Sequence, residues 1–148
     1  MDLSDRPYLL DASAVLAYAG DEIGGKDVGD IFHRSMITEL NFAEVIRTAL
    51  KLGVPNPERL KEEFEQAGLL IVPGKYDPVR VGELSALPPI EFQGDDRLTH
   101  RSTISLGDAV CLATGESFSR DIVVITSDLA WQELHRRGML RVLVQLFR

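Results

Sequence analysis

The sequence has a single cysteine, Cys111, so no internal disulfide can form. That usage fits a reducing compartment, and the cytoplasm is the expected location. No apolar run approaches the roughly 20 residues that a membrane-spanning helix needs, so no membrane association is expected. The opening decapeptide MDLSDRPYLL is acidic and short of apolar side chains, unlike a secretory signal. The three histidines, His33, His100 and His135, have no zinc-like spacing, and no Ser-His or Cys-His nucleophile system stands out. Repeats, low-complexity tracts and linkers are also missing.

Positive charge is scarce as well. Sixteen Lys and Arg face 23 Asp and Glu, a net charge of -7. The deficit is uneven: before Arg97 nine cations meet eighteen carboxylates, and from Arg97 onward seven meet five. Such a chain has no broad basic surface for nucleic acid. Any contact with phosphates must pass through a metal ion or a local cluster of cations.

What is present is ordinary globular composition over 148 residues, 45% hydrophobic and 26% charged, enough for one domain spanning 1–148. YLLD (8–11), MIT (36–38), LLIVP (69–73), DIVVIT (121–126) and LRVLVQLF read as strands, without polar alternation. Between them lie helical stretches: ASAVLAYAGD, GGKDVGDIFHRS, ELNFAEVIRTALKLG, PNPERLKEEFEQAG, DPVRVGELSALPP, SLGDAVCLATGESFS and SDLAWQELHRRG. IEFQGDDRLTHRST reads as a loop around the turn signal Gly94-Asp95-Asp96. Strands that alternate with helices and are apolar throughout predict an α/β sandwich with a parallel sheet covered on both faces. Ligands of such sheets bind beyond the carboxyl ends of the strands.

Four carboxylates stand out against that frame. Asp11 ends the first strand, where it either caps the next helix or joins a charged cluster. Asp108 lies three residues after Ser105, a pattern that also suits a capping box. Asp128 follows DIVVIT at a helix start, where the helix dipole favours an acid. Glu44 lies mid-helix, where neither capping nor the dipole accounts for it; alone it could be a solvated glutamate beside Arg47. Taken together, clustered carboxylates repel unless a cation compensates, and three or four oxygen ligands suit Mg²⁺ or Mn²⁺. Such an ion can activate water against a phosphodiester without a protein nucleophile. Trp131 and Cys111 read as core residues, Asp95 and Asp96 as turn residues, and Asp121 as the start of a strand away from the site.

The segments LLDASAVLAYAGDE, NFAEVIRTAL, SLGDAVCLATG and VVITSDLAWQEL, in this order, resemble the four acidic motifs of PIN-domain ribonucleases. In style they are similar to the VapC-type toxins of toxin–antitoxin pairs, over nearly the whole chain. The resemblance implies a PIN-like three-layer sandwich with a central parallel sheet of four to five strands flanked by helices. It implies a Mg²⁺- or Mn²⁺-dependent endoribonuclease, a hydrolase acting on RNA and leaving 5′-phosphate and 3′-hydroxyl ends. A cognate antitoxin and a homodimer are implied as partners. Asp11, Glu44, Asp108 and Asp128 fall on the catalytic and metal-binding positions, with Glu39 a competitor for the second. Ser13, Thr126 and Ser127 match supporting hydroxyls. Arg97, His100 and Arg101 are candidate RNA contacts, with Arg136 and Arg137 behind them. The alternatives are a PIN nuclease in RNA maturation and a catalytically silent protein-binding module. A receiver-type signalling domain fits poorly, because LLIVPG ends without an aspartate and VVITSD lacks a lysine.

Overall fold

The computed structural model describes residues 5–118 and 121–148; the expectations for residues 1–4 and for Ser119 as the end of a helix lie outside the described residues. The chain opens with β1 (Tyr8–Leu10), α1 (Ala12–Ala19), α2 (Gly25–Asp30) and a 3₁₀ turn (Phe32–Arg34). It continues through β2 (Ser35–Thr38), α3 (Glu39–Lys51), α4 (Pro57–Gln66), β3 (Leu70–Val72) and α5 (Pro78–Ser85). Then come β4 (Ile90–Gln93), β5 (Thr99–Ser102), α6 (Leu106–Ser117), β6 (Val123–Thr126), α7 (Leu129–Arg136) and β7 (Leu143–Leu146). Among the described residues no helix is long and apolar enough to cross a membrane.

Five strands form one parallel sheet in the order β3-β2-β1-β6-β7. Successive residues of its short central strands feed opposite cores. Leu9, Met36 and Val124 pack with α5, α6 and α7, through Val81, Leu84, Leu112, Trp131 and Leu134. Leu10, Ile37 and Ile125 pack with α1 to α4, through Ala14, Val15, Val28, Phe42, Val45 and Phe64. Because both faces are covered, these strands carry no polar alternation. The α/β sandwich with a parallel sheet is as the sequence indicates, and the strand count is five.

One segment differs from its expectation. Residues 90–103, read as a loop, contain an antiparallel hairpin in which Glu91 faces Arg101 and Phe92 faces His100. IEFQ does alternate, with Ile90 buried and Glu91 exposed, but THRS offers no apolar face. Its pairing rests on cross-strand partners instead: the His100 ring stacks on Phe92 at 5.7 Å, and Arg101 meets Glu91 at 3.3 Å. The turn is closed by Arg97 in a left-handed conformation (φ 64°) whose N–H donates to Gly94 O. The stretch GGKDVGDIFHRS also divides into α2 and the 3₁₀ turn.

The sheet order has one reversal. From β1 the chain moves outward through β2 to β3, then returns to the other side of β1 with β6 and β7. At such a reversal the connections leave in opposite directions, and a crevice opens above the carboxyl ends of the two central strands. Those strands are β1 and β6; Asp11 directly follows the first, and Thr126 ends the second.

Candidate active site

Asp11 both caps a helix and faces the crevice. Its Oδ1 accepts from Ala14 N (2.9 Å) and Ser13 Oγ (2.7 Å), and its Oδ2 accepts from Thr126 Oγ1 across the β1–β6 junction. Asp11 is 6% exposed. Burial pushes its pKa up to about 6, against the pull of these three donors, and the nearby Asp108 adds to the rise.

The hydroxyls form one chain. Ser127 Oγ donates to Ser13 Oγ (3.1 Å), which donates to Asp11. Thr126 Oγ1 donates to Asp11 and accepts from Asp128 N (3.0 Å). The three residues named from the motifs therefore stand around Asp11, and Thr126 ties it to the backbone of Asp128.

Asp128 is the N-cap of α7, accepting from Ala130 N (2.8 Å). Asp108 closes a capping box at the start of α6: Ser105 N donates to its Oδ2 (3.2 Å), and its own N–H donates to Ser105 Oγ (3.1 Å). Both carboxyls are raised chiefly by burial, and Asp108 also by the charges of Asp128 and Glu44. Glu44, half-buried on α3, accepts from Asn41 Nδ2 (3.1 Å). Glu39 lies exposed in the first turn of that helix.

Four carboxylates from four segments thus share one electrostatic field. Among the described residues, no group of three or more His, Cys, Asp or Glu is arranged so as to hold a metal ion. The donor set nevertheless suits a hard cation. It is all oxygen, and among the described residues Asp108 Oδ1, Asp128 Oδ2 and Glu44 Oε1 accept no hydrogen bond. A divalent cation would offset both the burial that raises Asp11, Asp108 and Asp128 and the mutual repulsion that adds to it at Asp11 and Asp108.

The candidate RNA-contacting cations have partners of their own. His100 pairs with Asp96 (2.9 Å), Arg101 with Glu91, and Arg136 and Arg137 share Glu133. Arg97 is exposed at the hairpin turn. From this hairpin only residues 103–105 lead to α6, so its cations lie close in the chain to Asp108. Trp131 and Cys111 are buried, as expected, and Cys111 lies in the field of Asp11, Asp108 and Glu44, which with burial pushes its thiol well up. A cleft of about 470 Å³, lined in part by Asp121, Ile122, His135 and Arg141, opens at the amino ends of β6 and β7, away from the four acids.

Sequence reasoning missed three residues around Glu44. Asn41 is 1% exposed; Nδ2 also donates to Gly107 O (3.1 Å), and Oδ1 accepts from Thr38 Oγ1 (2.7 Å). Gly107 lies directly against the Glu44 carboxylate. The one available signal was a polar Asn three residues before Glu44, which the sequence places on the same helix face.

No family model matches the sequence, and no curated protein matches it. Solved structures do match. A chain of DNA-bound VapBC from Salmonella typhimurium is 14% identical, with 97% of this chain covering 99% of that one at a TM-score of 0.62. A chain of VapBC2 from Rickettsia felis, bound to a promoter DNA fragment, is 13% identical, covering 94% and 97%, at 0.58. The likeness concerns architecture: this chain has the PIN-like α/β fold of those VapBC chains.

Proposed function

We propose that this protein is a metal-dependent endoribonuclease, the toxin of a type II toxin–antitoxin pair. The observation that carries the proposal is the convergence of Asp11, Glu44, Asp108 and Asp128 at the sheet's reversal. Burial raises three of them, and among the described residues Asp108, Asp128 and Glu44 each keep an oxygen that accepts no hydrogen bond. A structural cluster of acids has no reason to keep buried carboxylates without a cationic partner; a cation-binding cluster does. The fold shared with chains of VapBC complexes supports an antitoxin as partner. RNA as substrate and a homodimer follow from the motif resemblance.

In this reading Asp11 and Asp108 hold Mg²⁺ or Mn²⁺, with Glu44 and Asp128 completing the oxygen shell. The cation would neutralise the pocket and polarise both the scissile phosphate and its attacking water. Ser13 and Thr126 fix the Asp11 carboxylate, so it need not reorganise when phosphate arrives. The N–H of Asp128, held by Thr126, fixes the start of α7. Arg97, His100 and Arg101 would steady flanking phosphates.

The test is cleavage of a mixed transfer and ribosomal RNA pool by purified protein in Mg²⁺, in Mn²⁺ and in chelator. Asp108→Asn retains an oxygen for the capping box, so it should fold while cutting on the order of 100-fold more slowly. The silent binding module is favoured by one observation, that among the described residues no group is arranged to hold a metal as it stands. Intact RNA together with no metal binding would establish that second reading and end the first.

A further inference from the structure

We propose that Asn41 and Gly107 together form the seat of the Glu44 carboxylate and act as positioning residues for it. This inference rests on the nuclease reading and adds two residues to it. A glutamate in mid-helix has three rotatable side-chain bonds and no reason to keep one direction, so a defined ligand there requires something that selects its rotamer. Two features of the structure do so, Asn41 at Oε2 and Gly107 at Oε1.

The first is Asn41. Its side chain has four polar capacities, and three are used in a buried setting. Thr38 Oγ1 accepts from Asn41 N (3.1 Å), which leaves its proton for Asn41 Oδ1. The amide oxygen therefore faces Thr38, and the NH₂ faces Glu44 Oε2 and Gly107 O. The flipped amide would set its oxygen against a carboxylate and a carbonyl, so the network admits one orientation. Asn41 thereby links α3 to α6 across 66 residues of sequence.

The second is Gly107. It has no positive φ, so its backbone does not demand glycine. Within a helix, glycine costs backbone entropy that alanine would not. The space around it accounts for the choice. A Cβ at position 107 would lie 3.0 Å from Glu44 Cδ and closer still to Oε1. The carboxylate occupies the volume that any side chain there would take. Because the obstructing atoms are the far end of a flexible side chain, Gly107→Ala should swing Glu44 aside and leave the fold intact.

This separates positioning from structure. Gly107→Ala removes no carboxylate, changes no charge and improves helix propensity. It should therefore melt at the wild-type temperature or above it. Its Mn²⁺ affinity, read by electron paramagnetic resonance titration of the full chain, should fall about tenfold or more. In a Glu44→Ala background there is no carboxylate to displace, so adding Gly107→Ala should leave the affinity of that variant unchanged. Unchanged Mn²⁺ affinity of Gly107→Ala, or the same loss in both backgrounds, overturns the inference and leaves the nuclease reading in place. A wild-type chain that neither binds Mn²⁺ nor cuts RNA overturns both.

Discussion

Asp11 accepts three hydrogen bonds, a pattern that ordinarily makes a carboxyl more acidic, yet its pKa rises from 3.8 to about 6. Burial outweighs the donors, and the sign fixes how stability depends on pH. The native state binds this proton more tightly than the unfolded chain does. Its contribution is therefore greatest at low pH, near the unfolded value, and is lost as pH rises through about 6. The difference corresponds to about 3 kcal/mol. Asp108 and Asp128 shift in the same direction. Glu133, lowered from 4.5 to about 2 by Arg136 and Arg137, changes its contribution only below about 4.5, so it does not enter between pH 5 and 7.5. In chelator, the protein should melt higher at pH 5 than at pH 7.5, and Asp11→Asn should flatten that slope. Adding Mg²⁺ should raise the pH 7.5 melting temperature more than the pH 5 one. A melting temperature that climbs steadily from pH 5 to 7.5 without metal would show that Asp11 ionises freely, and the strained cluster would be gone.

Among the elements, α6 carries two charged features at its ends. Asp108 lies in the first turn and Glu116 in the last, about 12 Å apart along the axis. Glu116 is a carboxylate at the end of a helix where the dipole disfavours it, with its side chain only 4% exposed. Arg80 of α5 compensates with a fork, Nε to Oε1 (2.9 Å) and NH2 to Oε2 (3.2 Å), while Arg141 N donates to the same Oε2. Arg80 NH2 also donates to Met139 O, so the pair fastens α5, α6 and the approach to β7. Arg80→Met leaves a buried charge and should cost about 3 kcal/mol by denaturant unfolding, whereas Arg80→Met with Glu116→Met should recover most of it. Cleavage per folded molecule should be unaffected, because the clamp lies at the far end of the helix. An Arg80→Met variant within about 1 kcal/mol of wild type would mean that water reaches Glu116. These elements also decide what the sequence could disclose. The acids were legible because Asp11, Asp108 and Asp128 sit where apolar periodicity stops or starts, and a local pattern marks such junctions. The hairpin was not, since THRS is held by partners on another strand. Asn41 and Gly107 were not either, because their contact joins residues 66 apart and one of them contributes only an absent side chain.

For the molecule as a whole, the net charge of -7 sets the terms on which the proposed RNA substrate would approach. Most of the candidate RNA-contacting cations already hold carboxylates of the same chain, so each would exchange one partner for another when a phosphate arrives. On the proposed reading the attraction must then come mainly from a cation at the four acids, with few phosphates neutralised by Lys or Arg. Counterion release makes that count measurable. For single-stranded nucleic acid the logarithm of affinity falls with the logarithm of salt by about 0.7 per phosphate neutralised. At fixed Mg²⁺, log kcat/KM against log NaCl should therefore slope by only about -1 to -2, the mark of two or three phosphate contacts. Arg101→Gln should make it shallower by about 0.7 if that residue is one of them. A slope steeper than about -4 would require six or so cationic contacts. The basic surface supplying them would then have to come from elsewhere, a second copy of the chain being the first place to look.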